Sequence, residues 1–578
     1  MTRLTTGSMH KMTSPDFDSE RSIASALNPH LDTIHMLPVL IVGAGPAGLV
    51  LALSLRKNGV PVRIIDKEPL PRLGERGAGV SPRSLELHHI LGTISDVIST
   101  GKPLPHFRAH NPVDNQPPKI TEMMPFVEPT VHTPYSNHVM LGQHHHERIF
   151  RSYLEKLGTM VEFGSELRGF EQFEDHVTVK IVRRLHGEES VEETQVPWLI
   201  GTDGAHSIVR KTLNLSFLGE TRSGDEMVVG DIKIKEGLSR EFWAKWALSS
   251  NTAMLRPSGQ DEDVFNFVLA GPDVDNDKAA TSREELIKAF HAISGRTDIV
   301  FGDLICIAKY RPNIRMVQTL RVGRVFIGGD AAHCHTPAGG QGMNSSMQDS
   351  FNLGWKLSLV YKGFASAALL DTYQEERIPI IAEMLNKTTE LFNQVVKSGL
   401  DFVRRDNMNQ LGVSVRASSI IFDENVRDPA LKVSGYNKDS ETAAYPGDRA
   451  PDAPLLVDVT VDHKFDRLFN IFSPSHHSVL VFAQKYEEYA ALSSVIDRLP
   501  GKTVRSVLIL PQGSELNESG DAIYDEVVID SGGHAYTGYS LQGDQSCIIV
   551  VRPDGVIGTR VQEVAGVERY FQSIFLMS

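Results

Sequence analysis

The chain predicts an α/β fold in which a parallel-sheet domain is interrupted by an antiparallel-sheet domain and followed by a compact α/β module. Three observations carry this prediction. A buried strand, a glycine-rich turn, a helix and another strand succeed one another between Leu37 and Asp66. A later strand, Arg324–Ile327, runs into a second glycine-rich segment, Gly329–Asn344, which opens a long helix. Between Asn437 and Ala453 the composition shifts to Gly, Pro, Asp and Ala, and clear strands resume beyond it.

At 578 residues the chain exceeds what one core can hold, so roughly three domains are expected. Its 58 basic and 72 acidic residues leave a net charge of −14, which argues against a nucleic-acid or anionic-membrane surface. Cys306, Cys334 and Cys547 are scattered and form no CxxC. A disulfide framework and a metal site are therefore not expected, and the setting is read as cytoplasmic. Residues 1–36 mix polar residues without an apolar run and read as a disordered tail. No apolar stretch reaches the roughly 18 residues of a membrane span.

Leu37–Val42 is a short buried strand, Pro46–Asn58 a helix closed by Gly59, and Val62–Ile65 the next strand. Ser84–Leu91 is a short helix, and 102–138, rich in Pro and His, reads as loops and strands at a junction. Glu147–Leu157 reads as helical, and Val161–Phe163, Leu167–Phe170, Val177–Val182 and Val196–Ile200 as strands. From Met227 to Tyr310 strand-like runs alternate with loops. Met343–Tyr361 and Ala382–Asn407 read as helices, and Ser478–Phe482, Val504–Leu510 and Cys547–Val551 as strands of the last module.

The glycines of Gly43-x-Gly45-x-x-Gly48 permit a tight turn and let backbone approach a pyrophosphate. The helix start at Pro46 and Ala47 adds unpaired N–H groups. Asp66 ends the second strand, 18 residues after Gly48, where an acid can accept from a ribose hydroxyl. Asp203-Gly204 closes a further strand end at the same crevice. Asp330 also ends a strand and can bind ribityl hydroxyls. The glycines before the next helix, Gly340 and Gly342 with Met343 and Asn344, offer N–H groups to a flavin ring on which negative charge develops. In this order and separation the two segments read as the two ends of one flavin site.

With Ile65-Asp66-Lys67, Arg76-Gly77-Ala78-Gly79-Val80, Gln143, Gly201–Ala205 and Asp349–Leu357, these segments resemble the single-component flavoprotein monooxygenases. These are aromatic hydroxylases of the 4-hydroxybenzoate and phenol hydroxylase type. The likeness covers about residues 37–390 and extends through Leu369–Pro379. It implies a Rossmann-like FAD-binding domain of the glutathione-reductase type over 37–224 and 311–436. A substrate-binding sheet domain would span 225–310 with parts of 102–140. Residues 446–578, with Gly447–Pro451 and Val551–Gly555, are similar to the thioredoxin-like domain of the phenol hydroxylase branch. That domain often lies at homodimer contacts and lacks CxxC here.

The resemblance also implies a cycle: non-covalent FAD is reduced by NADPH or NADH, which binds transiently. Dioxygen then forms a C4a-hydroperoxyflavin that hydroxylates a phenolic or hydroxybenzoate-like substrate, with oxidative decarboxylation open in the second case. Lys67 and Gln143 would lie against FAD. Arg76 would take part in flavin gating, and the Pro337 backbone would lie near the reacting oxygen. Ala78 stands where phenol hydroxylases carry an acid, so the base is unassigned. Epoxidation or Baeyer–Villiger oxidation of a polyketide or terpenoid stays open, as does a flavin-binding protein without turnover. Halogenase and disulfide-reductase readings lack their motifs. Trp243, Trp246, Arg256 and His291 are nominated for the substrate pocket, and His144-His145-His146 is read as a solvated loop.

Overall fold

The computed structural model describes residues 37–111, 117–185, 187–222, 224–398, 408–424, 434–437, 444–459, 465–514 and 523–577; the expected tail, 1–36, lies outside them. Strand β1 (Val39–Val42), buried along its whole length, sits centrally in a six-stranded sheet. Parallel to it run β2 (Val62–Asp66) on one side and β4 (Leu199–Gly201) on the other. The sheet extends through β3 (Val161–Phe163) beside β2 and the Val325–Ile327 strand beside β4. A strand buried on both faces needs a continuous apolar run, and Val-Leu-Ile-Val supplies it. Helix α1 (Pro46–Lys57) is buried from Ala47 to Leu55, as expected of a helix apolar all round.

Several boundaries differ from the sequence expectation. Helix α2 spans Gln143–Lys156, so the three histidines form its first turn and not a solvated loop; His145 and His146 are buried. The expected strand Val196–Ile200 is split between Glu188–Val196 and β4, because Pro197 has no N–H to give a ladder.

The second sheet is built from β5 (Met227–Glu236), β6 (Phe242–Leu248), β7 (Asn251–Pro257), β8 (Val264–Ala270) and β9 (Val300–Tyr310). Its order is β9-β5-β8-β7-β6, followed by His106–His110 and Lys119–Thr121 from the junction segment. These neighbours are antiparallel except β6 with His106–His110. Helix α3 (Arg283–Ser294) covers one face, packing on Val228, Leu255, Phe265 and Phe267.

Helix α4 (Gln341–Tyr361) begins two residues before expectation. Helix α5 (Asp371–Ser398) begins well before the expected Ala382, and the expected end at Asn407 lies outside the described residues. Pro379 lies inside the helix, where it removes one backbone hydrogen bond, and the buried Ile380 and Ile381 hold the helix through it. The C-terminal sheet sets β10 (His477–Phe482), β11 (Val504–Pro511) and β12 (Glu526–Asp530) parallel. The hairpin β13 (Cys547–Val551) and β14 (Ile557–Val561) lies antiparallel beside β10.

A buried ion cluster joins this sheet to α4 and α5. Glu376 accepts from Lys356 Nζ at 2.8 Å and from Arg552 at 2.8 and 2.9 Å. Arg552 also binds Asp554, which accepts from Trp355 Nε1 at 3.2 Å. A second link runs from Arg449 through Glu86 to Arg83. His477 stands beside the cluster with its ring perpendicular to Trp355 at 5.2 Å. Burial pushes the His477 and His146 imidazoles each down to about 3. Both rings are therefore neutral in the fold, while the unfolded chain takes a proton near pH 6.5. Stability is fully present above that pH. Below it, unfolding measurements should lose about 1.4 kcal/mol per pH unit for each ring, and His477→Leu should flatten the slope.

Candidate flavin and substrate site

The three glycines after β1 do different work. Gly43 has φ +102°, and a Cβ there would sit 2.4 Å from the Thr202 carbonyl oxygen. A Cβ on Gly48 would sit 2.0 Å from the Gly43 carbonyl oxygen. Gly45, with φ −75°, has nothing within 4 Å of its Cβ position. The protein's own packing thus requires the outer two, and the middle one faces open space at the start of α1. That is where backbone N–H groups and the helix dipole receive a phosphate. Thr202 Oγ1 locks the turn by donating to the Val42 and Gly43 carbonyls at 3.0 and 2.9 Å.

Asp66 is half-buried and accepts from Ala44 N at 2.8 Å, and Lys67 beside it is exposed. Asp203 Oδ2 accepts from Ile208 N at 2.7 Å. Among the described residues, its Oδ1 is buried without a protein partner, and burial raises its pKa. A ligand hydroxyl would satisfy that oxygen. These observations fit a dinucleotide at the carboxyl edge of the sheet.

The second segment is held from behind. Asp349 on α4 accepts from Gly329 N at 3.2 Å, contacts the His333 ring at 2.7 Å, and accepts from Arg377 Nε at 2.7 Å. Burial opposes ionisation, yet Arg377 and His333 hold the Asp349 carboxyl below its usual range. This support presents Asp330 exposed on its turn. Gly340 has φ +64° and open space around its Cβ position, whereas Gly342 packs on the His335 ring. Pro337, between Asp330 and Gly340, is exposed.

Gly77 lies between Gln143 and Met343, its Cβ position 3.7 Å from Gln143 Oε1 and 3.6 Å from the Met343 Cβ. The exposed Arg76 adjoins this cluster, and its charge acts on buried Glu147, which also accepts from Gln143 Nε2 at 2.9 Å. Asn344 is committed to the protein. Its side chain accepts from Ser81 N and donates to the Gly79 and Gly340 carbonyls, which fixes the start of α4 against the Gly79 strand.

The second sheet closes over both loops. Asp231 on β5 accepts from Glu75 N at 2.7 Å, and Arg256 on β7 pairs with Glu75 at 2.9 Å. At another corner Tyr310 donates to the His335 carbonyl at 3.2 Å. Directly paired residues share a face, so Val229, Val268 and Met254 form one row, and Asp231, Asn266 and Arg256 the next. Val229, Val268 and Met254 are half-buried, in contrast to the fully buried residues under α3. These half-buried apolar side chains lie next to the polar row through which the sheet meets the Glu75 loop.

Of the four pocket nominees, Trp243 and Arg256 stand on this face, with the guanidinium 5.5 Å from the indole centroid. Trp246 and His291 do not: Trp246 stacks on His110 and meets Phe290 edge to face in the core, and His291 rides on α3. Alternation along β6 puts Trp246 opposite Trp243, a distinction a count of aromatics misses. Ala78 is buried and leaves no carboxylate at its position. Asp349 and Arg377 lie in the Asp349–Leu357 and Leu369–Pro379 motifs, whereas nothing local in the sequence marks Asp231 or Tyr310.

A dinucleotide crevice, a second glycine turn and an antiparallel sheet packed against the loops of both fit a FAD-dependent oxidoreductase. Residues 36–388 match the FAD binding domain family, and residues 508–578 match the phenol hydroxylase C-terminal dimerisation domain. A flavin-dependent monooxygenase of Mycobacteroides abscessus is 35% identical over 77% of this chain and 88% of its own. Pentachlorophenol 4-monooxygenase of Sphingobium chlorophenolicum is 29% identical over 92% of this chain and 94% of its own. The crystal structure of the flavin-dependent monooxygenase PieE with FAD and substrate shares the fold, with TM-score 0.75 and 21% identity over 93% of this chain and 99% of that one. The chain belongs to the family of single-component, FAD-dependent aromatic monooxygenases. No helix among the described residues is long and apolar enough to cross a membrane.

Proposed function

We propose that the enzyme hydroxylates a phenolic or hydroxybenzoate-like aromatic compound with NAD(P)H and dioxygen. The apolar face of β5, β7 and β8 opposite the Arg76 and Pro337 loops carries this reading. FAD, when bound, accepts the hydride and activates dioxygen. The chain's own residues hold it at Gly45, Asp66, Asp203 and Asp330, orient its ring at Gln143, Gly340 and Met343, and keep water from the reacting face.

Residues 37–224 with 311–436 make up the flavin domain in this reading, and 225–310 with parts of 102–140 the substrate domain. The module 446–578 is thioredoxin-like; the parallel β10 and β11 beside the antiparallel β13–β14 hairpin support this. It would pair two chains, giving a particle of twice 63.8 kDa in sedimentation. The small side chains of Ala247, Thr252 and Ala270 in the neighbouring row favour a second reading. There a multi-ring polyketide or terpenoid is oxidised by epoxidation or Baeyer–Villiger insertion.

Met254→Trp tests the cleft. It should raise KM for the substrate at least about tenfold, the scale of a lost pocket contact, while FAD content stays unchanged. An unaltered KM would remove this face from the substrate site.

A further inference from the structure

The histidine triplet at the start of α2 takes no part in the flavin reading. His146 turns into the core, its Nε2 2.7 Å from that of His88. His144 and His145 face Asp261, which stands in the turn between β7 and β8. One ligand atom from each of these three residues lies within 4.8 Å of the others. His145 Nε2 is 3.0 Å from Asp261 Oδ2, and His144 Nε2 is 3.8 Å from the same oxygen. The spacing of the triplet hides this arrangement, because the carboxylate comes from 116 residues away.

The His144 tautomer is informative. Its Nδ1 lies 3.1 Å from the Gly74 carbonyl oxygen, which can only accept, so Nδ1 carries the proton. With Nδ1 protonated, a neutral ring would turn its Nε2 lone pair toward a second acceptor, Asp261 Oδ2. Two acceptors so placed repel, and a cation between them satisfies both. A backbone carbonyl behind the distal nitrogen is also what orients metal-ligating imidazoles.

We propose that His144, His145 and Asp261 form a binding site for a divalent late transition ion of the zinc type. Two imidazoles and one carboxylate make a donor set that zinc accepts, with water completing the tetrahedron. Side-chain exposures of 18%, 9% and 40% leave room for that water on the solvent side. Two features oppose the ion. Arg148 donates to His145 Nδ1 at 3.1 Å, and the start of a helix carries partial positive charge. Arg148 is exposed, and ion binding would require it to swing away as Nδ1 takes the ring proton. The ion would join the first turn of α2, beside Gln143, to the β7–β8 turn of the substrate-facing sheet. Its effect is a cross-link over the cleft, independent of which substrate the enzyme takes.

The test uses the full-length FAD enzyme, stripped with a chelator and titrated with Co2+ and then Zn2+. One Co2+ per chain should bind with the intense visible bands of a tetrahedral site, and Zn2+ should displace it. His144→Gln and Asp261→Asn should each weaken Co2+ binding at least about 100-fold, with the flavin spectrum unchanged. A spectrum of hydrated Co2+ alone overturns the proposal. So does stoichiometric binding that survives both substitutions. In either case the His145–Asp261 hydrogen bond joins the two elements without an ion.

Discussion

Gly45→Ala should leave the protein folded but unable to retain FAD, whereas Gly48→Ala should cost the fold itself. The same methyl group meets different surroundings at the two positions. At Gly45 the added Cβ points into open space, so its cost to the free protein is the loss of a favoured helix N-cap, about 1 kcal/mol. It occupies the volume through which the pyrophosphate approaches the backbone, and FAD affinity should fall at least about 100-fold, or about 2.7 kcal/mol. At Gly48 the Cβ would lie 2.0 Å from a carbonyl oxygen of the strand-to-helix turn. Backbone cannot yield there as a side chain would, so destabilisation should reach or exceed the usual 1–3 kcal/mol or so of overpacking. Flavin titration and thermal unfolding of the two flavin-free variants separate the outcomes. Equal losses of stability would show that the middle glycine serves the fold and not the ligand.

The second large effect lies away from the flavin. Glu376→Ala should destabilise the enzyme by about 3–5 kcal/mol, measured by denaturant unfolding. The cluster of Glu376, Asp554, Lys356 and Arg552 balances two acids against two bases, with exposures of 0 to 5%. Removing Glu376 leaves Lys356 and Arg552 facing Asp554 alone, one positive charge in excess and out of reach of water. Ser418 Oγ, which also donates to Glu376, loses its acceptor, and Asn352 Nδ2 keeps only Asp554. Because the partners come from α4, α5 and the loop after β13, early cleavage within the C-terminal sheet by protease should accompany the loss. A change under about 1 kcal/mol would mean that packing between the modules, and not the ions, holds them together.

These contrasts mark what was legible in the sequence. The glycine turns were, because a positive φ or a close backbone approach admits almost no other residue, and the same few positions recur wherever a phosphate meets a helix start. The strands of the parallel sheet were legible for a similar reason: burial on both faces demands continuous apolar runs. The substrate wall was not. Which of Trp243 and Trp246 faces the cleft depends on the register of β6 against β7, set by pairings such as Ala244 with Leu255. The support of the second glycine turn was half visible, since Asp349 and Arg377 fall in motifs whose purpose appears only when α5 lies beside α4. Asp231 and Tyr310 carry no local signal at all. They matter through Glu75 and His335, which lie 156 and 25 residues away in the chain.

On the proposed function, one oxygen atom from dioxygen is inserted into an aromatic substrate between the flavin loops and the second sheet. The most direct measurement supplies isotopically heavy dioxygen and NAD(P)H to the FAD-loaded enzyme with a panel of phenols and hydroxybenzoates. Product masses and NAD(P)H consumption are then followed together. The prediction is substrate-stimulated NAD(P)H oxidation and a product carrying one heavy oxygen per NAD(P)H consumed. An enzyme that binds FAD yet oxidises NAD(P)H at the same rate with and without every substrate, and labels none of them, would contradict it.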